Sequence, residues 1–210
     1  MTTMTPDVMD MLRESTAAHH KRAEGHEFQR LLAKGRLPRE AYGAWLVQLR
    51  HVHAALESRL ADWLPGRPEV DAIMPEGWQK APLLDADIAS LSSEPVGPND
   101  ATQSVIDEID TTATTAAIGL LGMFYVLEGS MNGNRFIARA IGGALQLRSE
   151  GLAYLCSYGE SQPVVWGAFK ESMRGVNFTS DEIDCLVHHA QMMFDGISRM
   201  SVAMASDVAS

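Results

Sequence analysis

The sequence predicts an all-α fold, and three observations support this. Apolar residues recur at steps of three and four over long stretches, and residues typical of helix caps stand at the start of several stretches. No stretch alternates apolar and polar residues between hairpin turns, as a half-buried strand would. At 210 residues, with 46% hydrophobic and 21% charged residues, the chain fits one globular domain spanning residues 1–210.

The first two long helices are predicted from their start and stop signals. For the first, Thr5 fits the N-cap, Pro6 the first helical position and Asp7 the first turn, and the pattern continues to Gly25. The second follows Pro38 and ends before residue 65. Its apolar face consists of Tyr42, Trp45, Leu46, Leu49, Val52, Leu56, Leu60 and Trp63.

The middle of the chain is predicted to hold a short helix and then a long one. A short helix is marked by Leu83, Leu84, Ile88 and Leu91, and a turn by residues 95–98. From about Thr111 an apolar helix runs through Gly129 and Gly133 and resumes at residues 135–141. Two glycines four residues apart allow either a close helix crossing or the close approach of a ligand to the backbone.

The C-terminal part is predicted to hold two more helices. Residues 142–162 read as irregular, and residues 164–174 as a helix. Thr179 and Glu182 form a capping box that opens the last helix. Its buried stripe is formed by Ile183, Leu186, Val187, Ala190, Phe194, Ile197 and Met204.

Charge and composition exclude several classes of function. The net charge of −10 argues against a nucleic-acid-binding protein, which needs clustered Lys and Arg to neutralise phosphates. The N-terminal residues lack the pattern of a secretory signal, and no apolar run reaches the roughly 20 residues that span a bilayer. Cys156 and Cys185 are too few to staple a secreted domain of this size. We therefore expect a cytoplasmic protein that does not bind membranes.

Seven histidines in an all-α chain raise the question of a metal site. None of them has a Glu three residues before it on the same helix, as the bundles that bind two iron ions require. Cys185 and His188 share a helical face, either as part of a zinc site or as packing residues, but no second pair has ligand spacing. No nucleotide-binding or nucleophile motif is present.

The first helix offers a different arrangement. Arg13, Thr16 and His20 form a stripe beside its apolar face, whose centre consists of Val8, Met11, Leu12, Ser15 and His19. Arg13 and His20 are two turns apart, about 10 Å along the axis, which suits one ligand with a metal near its centre and a carboxylate at its edge. From geometry alone, His20 can equally be an ordinary surface histidine.

Two segments resemble the haem oxygenase family. The segment Leu12–Glu24 is similar to the helix that carries the proximal haem ligand, and Phe28 and the run to Pro38 follow as in that family. The alignment through Glu14, Thr16, Ala23 and Glu24 puts the ligand position on His20. The segment Phe124–Arg135 reads YVLEGS and then a second glycine, and resembles the distal helix of bacterial members that produce biliverdin.

A third segment resembles the part of haem oxygenases that supplies cations to the haem propionates. It contains Tyr158-Gly159, Trp166, Phe169-Lys170 and Arg174. The resemblance thus implies a helical bundle with haem between the first helix and a distal helix kinked at its glycines. Implied haem-binding residues are Arg13, Thr16, His20, Phe124, Tyr125, Lys170, Arg174 and Phe194; Arg13, Lys170 and Arg174 can equally be solvated surface charges.

The resemblance also implies an activity. His20 would be the iron ligand, and the catalytic segment would be Gly129, Ser130, Gly133 and Asn134. Haem would be both substrate and cofactor, opened with dioxygen to biliverdin, carbon monoxide and ferrous iron. No flavin or iron–sulfur motif is present, so electrons would come from a separate reductase or ferredoxin. The chain would act as a monomer or weak dimer.

Two positions depart from the family pattern. Ser130 stands where many members have Asp, so other groups must arrange the water network, and Asn132-Gly133-Asn134 stands where relatives usually have Leu-Gly-Gly. Asn134 can orient water or crowd the oxygen site, which leaves open a haem-binding or haem-sensing protein without turnover. A thiaminase-like enzyme of the same fold would need a reactive cysteine facing the pocket, for which Cys156 and Cys185 are poor candidates.

Overall fold

The structure is a computed structural model that describes residues 7–208, with side chains described up to Ala205. Over this range it contains helices and no β-strand. The helices are α1 (Val8–Gly25), α2 (Glu27–Ala33), α3 (Arg39–Trp63), α4 (Pro68–Asp71), α5 (Ala81–Ser90), α6 (Asp100–Thr115), α7 (Gly119–Leu145), α8 (Gln162–Gly175) and α9 (Ser180–Val208). A short 3₁₀ turn, Gly159–Ser161, precedes α8. The predicted all-α fold is confirmed.

Side-chain hydrogen bonds cap the N-termini of α1 and α9. The Asp7 carboxylate accepts from the backbone N–H groups of Met9 and Asp10 at 2.8 and 3.2 Å, so Asp7 is the N-cap of α1 rather than part of its first turn. The predicted cap Thr5 and its neighbour Pro6 lie outside the described residues. At α9 the predicted capping box is confirmed, since Glu182 Oε2 accepts from the Thr179 N–H and Thr179 Oγ1 from the Glu182 N–H.

The region before the glycines differs from the prediction. Thr111 lies near the end of α6, and the chain breaks at Ala116, where φ is −154° and ψ is 56°, before α7 begins. The predicted single helix is therefore two helices. The sequence did not indicate the break, because the apolar pattern continues through it and the break depends on the backbone angles of Ala116. From Gly119 to Leu145, α7 is one continuous helix, so it does not stop and resume at its glycines.

Close packing between α7 and α9 forms the centre of the molecule. A Cβ atom on Gly122 would lie only 2.1 Å from the backbone carbonyl oxygen of Leu186, so only glycine fits there. The buried side chains form two clusters, one including Leu12, Phe124 and Leu186, the other including Phe28, Trp45 and Tyr154. None of the helices in the described range is long and apolar enough to span a membrane.

Candidate functional site

A cavity of about 660 Å³ lies between α1 and α7. Its walls draw on both hydrophobic clusters, with Leu127 and Met200 from the first and Trp45 and Tyr154 from the second. The cavity therefore lies where the two clusters meet, and the side chains around it are held by packing on both sides. Its volume is within the range of about 300 to 1,000 Å³ that is typical of ligand sites.

One wall is a stripe of α1 with helical spacing. Its members line the cavity at steps of three and four: Arg13, Thr16, Ala17, His20, Ala23 and Glu24. The predicted stripe of Arg13, Thr16 and His20 is thus brought together in one wall. Thr16 is buried, and its hydroxyl donates to the Leu12 carbonyl at 2.7 Å. The Thr16 side chain therefore stays close to the α1 backbone and projects little from the wall.

The two adjacent histidines have different surroundings. The His20 ring packs edge-on against Phe194, with ring centroids 5.4 Å apart, and its Nδ1 lies 3.6 Å from a carboxylate oxygen of Glu24. His19 does not line the cavity, and its Nδ1 lies 2.9 Å from Asp195 of α9. The His19 side chain is 22% exposed and that of His20 55%, as the periodicity predicted.

The facing wall is the glycine-containing part of α7. A Cβ on Gly129 would be in ordinary contact, 3.4 Å from Trp166, and a Cβ on Gly133 would meet no atom within 4 Å. Both glycines line the cavity, together with Ser130 and Asn134. The four predicted catalytic positions therefore lie on one wall, opposite the α1 stripe that carries His20.

Polar side chains on this α7 wall have assigned hydrogen bonds. The Ser130 hydroxyl donates to the Leu127 carbonyl at 2.6 Å, and the Asn132 amide donates to the Gly129 carbonyl at 2.9 Å. Asn134 is 5% exposed, and its Nδ2 lies 3.3 Å from Met131 Sδ. The wall is polar but carries no charged side chain.

One end of the cavity is cationic. Arg13 lies there and forms exposed ion pairs with Asp10 and Glu14 at 3.1 and 3.3 Å. Tyr125 lies nearby: burial raises the pKa of its hydroxyl, while a hydrogen bond with Thr16 and the charge of Arg13 act in the opposite direction. Arg13, Thr16 and Tyr125 thus form a polar end suited to an anionic group.

Three predicted haem-binding residues lie away from the cavity. Phe124 does not line the cavity and is buried in the core, edge-on to Trp78 and Phe169. Arg174 binds Asp7 and Glu171, both at 2.7 Å, and joins α8 to the start of α1. Lys170 does not line the cavity either.

Several lining residues were missed in the sequence. Trp45 and Leu49 belong to a helical face that reads as ordinary core, and Trp166 closes the space beside Gly129. Tyr154 belongs to the irregular segment after α7, where no periodicity points to it. Neither Cys156 nor Cys185 lines the cavity, and the Cys185 thiol lies 3.5 Å from His189 Nδ1 rather than beside His188.

The donor set of the cavity is that of a single imidazole site. Within residues 7–205, no group of three or more His, Cys, Asp or Glu side chains could hold a metal ion. A ring that already carries its metal needs only one axial ligand from the protein. One imidazole facing a wall notched by glycine fits a flat metal-bearing ring better than a bare ion.

The family model described as "Heme oxygenase" matches residues 7–202. A heme oxygenase of Xanthomonas campestris pv. campestris is 30% identical over 145 residues, which cover 66% of this chain and 75% of that protein. Heme oxygenase 1 of Rattus norvegicus is 27% identical over 158 residues, 72% of this chain and 55% of the rat protein. The match thus spans little more than half of the rat relative's length.

Two solved structures share the fold. Heme oxygenase-1 of Synechocystis sp. PCC6803, solved in complex with heme, superposes with a TM-score of 0.88 at 19% identity, covering 97% of this chain and 94% of that one. Heme oxygenase from Leptospira interrogans gives a TM-score of 0.86, also at 19% identity, covering 94% and 99%. At such identity these likenesses concern the fold.

Proposed function

The chain belongs to the haem oxygenase family, and on that premise we propose that it binds one haem between α1 and α7 and opens the ring to biliverdin, carbon monoxide and ferrous iron. Haem, when bound, supplies both the iron that reacts with dioxygen and the ring that is oxidised. The observation that carries the proposal is the cavity itself, with one imidazole on the α1 wall and a wall notched by glycine opposite.

His20 is the proposed iron ligand. Glu24 lies one helical turn further along α1, with its carboxylate near Nδ1 of the His20 ring. A carboxylate at one ring nitrogen favours a proton on that nitrogen and leaves the other, Nε2, free to bind a metal. Phe194 packs against the ring edge and limits its rotation. His20 is favoured over His19 because it lines the cavity, whereas His19 does not and its Nδ1 is next to Asp195 of α9.

The cationic end of the cavity is the proposed propionate site. Arg13 and Tyr125 offer a guanidinium and a phenol hydroxyl to a carboxylate, while the Thr16 hydroxyl beside them donates to the Leu12 carbonyl. Lys170 and Arg174 remain predicted propionate partners, but Arg174 would have to leave Asp7 and Glu171 to serve. Phe194 would pack against the haem, while Phe124 would support the pocket from the core.

The proposed activity is tested by aerobic turnover. Purified protein is mixed with haemin, and the absorption spectrum is followed after ascorbate or a reductase is added in air. We expect the Soret band to disappear and a red-absorbing bilin to form. A stable haem complex that never yields a bilin would contradict the proposed enzyme and support a haem-binding or haem-sensing protein. Failure to bind haem would contradict both.

Turnover also requires electrons, and we propose that an acidic redox protein, a reductase or ferredoxin, supplies them. Residues 27–40 and 129–150 carry seven Lys or Arg and three Asp or Glu, although the whole chain has a net charge of −10. Within residues 7–205 these seven exposed cations form no ion pair: Arg30, Lys34, Arg36, Arg39, Arg135, Arg139 and Arg148.

This cationic surface adjoins the cavity. The two segments are in contact, since Arg39 donates to the Leu145 carbonyl at 3.0 Å and Gly35 lies against Ala140. Phe136, which is 60% exposed under the Arg135 guanidinium, is next to Ile137, a lining residue. Exposed cations that form no ion pair among the described residues, one of them over an exposed aromatic ring, fit an acidic partner, which would then lie close to the cavity.

Charge reversal tests the docking surface. We expect the double substitution Arg135→Glu and Arg139→Glu to lower turnover with an acidic ferredoxin by about 10-fold at low salt, because complementary charges mainly accelerate encounter. Turnover with ascorbate should be unchanged. Arg67→Glu, which changes another exposed arginine away from the cavity, is the control. Equal loss with ferredoxin and ascorbate would contradict a docking role.

A further inference from the structure

One side chain that lines the cavity is a buried phenol paired with an imidazole. Tyr154 is 2% exposed, and its hydroxyl lies 3.1 Å from Nε2 of His53, a buried residue of α3. The two rings also pack edge-on, with centroids 5.3 Å apart. Neither the proposed haem ligation nor the proposed propionate site uses this pair, so its chemistry is available for another role.

The surroundings of His53 decide the direction of its hydrogen bond with Tyr154. One turn further along α3, Glu57 Oε1 lies 3.3 Å from His53 Nδ1. The same oxygen accepts from the backbone N–H groups of Lys80 and Ala81 at 2.6 and 3.2 Å, so it acts as an acceptor. The neutral His53 ring therefore carries its proton on Nδ1, and Nε2 accepts from the Tyr154 hydroxyl.

This arrangement favours the removal of one electron from Tyr154. Loss of the electron alone would leave a positive charge on a buried phenol, where water cannot solvate it. If the hydroxyl proton moves to Nε2 as the electron leaves, Tyr154 stays neutral and the charge lies on His53, beside the Glu57 carboxylate. Burial also raises the pKa of Tyr154, so the phenol keeps its proton until it is oxidised.

The other three tyrosines of the chain lack this combination. Tyr42 does not line the cavity, and its hydroxyl donates at 2.8 Å to a backbone carbonyl, which is too weak a base to take the proton. Tyr125 lines the cavity, but no imidazole or carboxylate of the described residues is bonded to its hydroxyl. Tyr158 donates to a carboxylate at 3.2 Å, but it lies outside the cavity lining. Only Tyr154 both lines the cavity and has a base for its proton.

We propose that Tyr154 and His53 form a redox pair through which the haem complex reduces peroxides, an activity beyond ring opening. Tyr154 gives one electron to haem that peroxide has oxidised, while its O–H bond breaks and its proton moves to His53 Nε2. An outer donor such as ascorbate then reduces Tyr154, which takes the proton back from His53. The proposal rests on the proposed function, since it needs haem beside Tyr154.

Electrons and atoms balance in this reaction. Hydrogen peroxide takes up two electrons and two protons as its O–O bond breaks, and two molecules of water form. One ascorbate supplies both electrons and both protons and becomes dehydroascorbate. Tyr154 carries one of the electrons, and the other reaches the haem without it. The Tyr154 proton moves to His53 and back, so both side chains return to their first state.

Electron paramagnetic resonance of the haem complex, frozen shortly after hydrogen peroxide is added, tests the proposal. We expect a tyrosyl radical signal that Tyr154→Phe abolishes. In His53→Gln the amide can still accept from Tyr154 and donate to Glu57, but it cannot take up a proton. The radical should therefore form about 100-fold more slowly in His53→Gln, as for the loss of a positioned base. Peroxide consumption with ascorbate should fall in both variants.

Tyr42→Phe is the matched control. It also removes a buried phenol hydroxyl, but one that donates to the Gly151 carbonyl and lies outside the cavity lining. Its radical signal should equal that of the unmodified chain. A signal that survives in Tyr154→Phe, or that both tyrosine variants lower equally, would overturn the proposal. Radical formation at the original rate in His53→Gln would overturn it as well.

A second measurement needs no haem. In the full chain without haem, nitrogen NMR shifts of the His53 ring are expected to show the tautomer protonated on Nδ1. A ring protonated on Nε2 would overturn the proposal, because Tyr154 would then have no base for its proton. This readout separates the two hypotheses: a chain that fails to bind haem contradicts the proposed function, whereas the tautomer tests the redox pair by itself.

Discussion

His20→Ala is expected to weaken haem binding by at least about 100-fold. Loss of a group that merely orients a metal ligand costs about 10- to 100-fold, and this substitution removes the proposed ligand itself. The other residues of the α1 wall would still contact the haem, but none of them would supply an imidazole to its iron. Titration of the purified variant with haemin, followed through the Soret band, measures the change, and added imidazole should restore part of the lost spectrum.

His19→Ala is the matched control for this prediction. It removes the same side chain one residue earlier on α1, with the loss of contacts to Asp195 and Arg22 instead of contacts to the cavity. We expect haem affinity to change by less than about threefold. The loss of the contact between His19 and Asp195, which joins α1 to α9, should lower the stability of the fold only slightly, because the pair is partly exposed. If His19→Ala abolished the haem spectrum and His20→Ala kept it, the proposed register of α1 would be wrong.

The α1 wall could be predicted because a helix repeats. Once the segment from Arg13 to His20 is taken as helical, a period of 3.6 residues puts Arg13, Thr16 and His20 on one face and turns His19 away from it. The same reasoning gave the last helix and its capping box. Local side-chain chemistry decides features of this kind.

Other parts of the site depend on contacts between distant segments. Tyr154 reaches the cavity because the buried Asp87 carboxylate of α5 accepts from the backbone N–H groups of Ala153 and Tyr154, both at 2.8 Å. No periodicity in the segment after α7 indicates that pairing. Likewise, the spacing of Lys170 and Arg174 predicts a shared helix face, but not that Arg174 binds Asp7, 167 residues away.

The glycines of α7 illustrate the same limit. Gly122, Gly129 and Gly133 look alike in sequence, yet a side chain at Gly122 would collide with the Leu186 carbonyl, one at Gly129 would touch Trp166, and one at Gly133 would enter open space. The space available for a side chain therefore differs at each of the three glycines. The distinction decides which of them can be substituted to test the cavity without damage to the fold.

Gly133→Leu is expected to abolish haem binding while the fold is kept. Its side chain would project from the α7 wall into the space assigned to the ring, since no protein atom lies within 4 Å of its Cβ. Replacing glycine inside a helix should raise stability by about 0.5 to 1 kcal/mol, so thermal unfolding should occur at the same or a higher temperature. Haemin titration should detect no specific Soret complex at concentrations that saturate the unmodified chain.

Gly143→Leu makes the same substitution ten residues later on α7, also where a Cβ meets nothing within 4 Å, but outside the cavity lining. Its gain in helix stability should match that of Gly133→Leu, and its haem affinity should equal that of the unmodified chain. The pair therefore separates obstruction of the cavity from any general effect of leucine on α7. Full haem binding by Gly133→Leu would mean that the ring does not occupy the space between His20 and Gly133, and haem would then have to bind elsewhere on the chain.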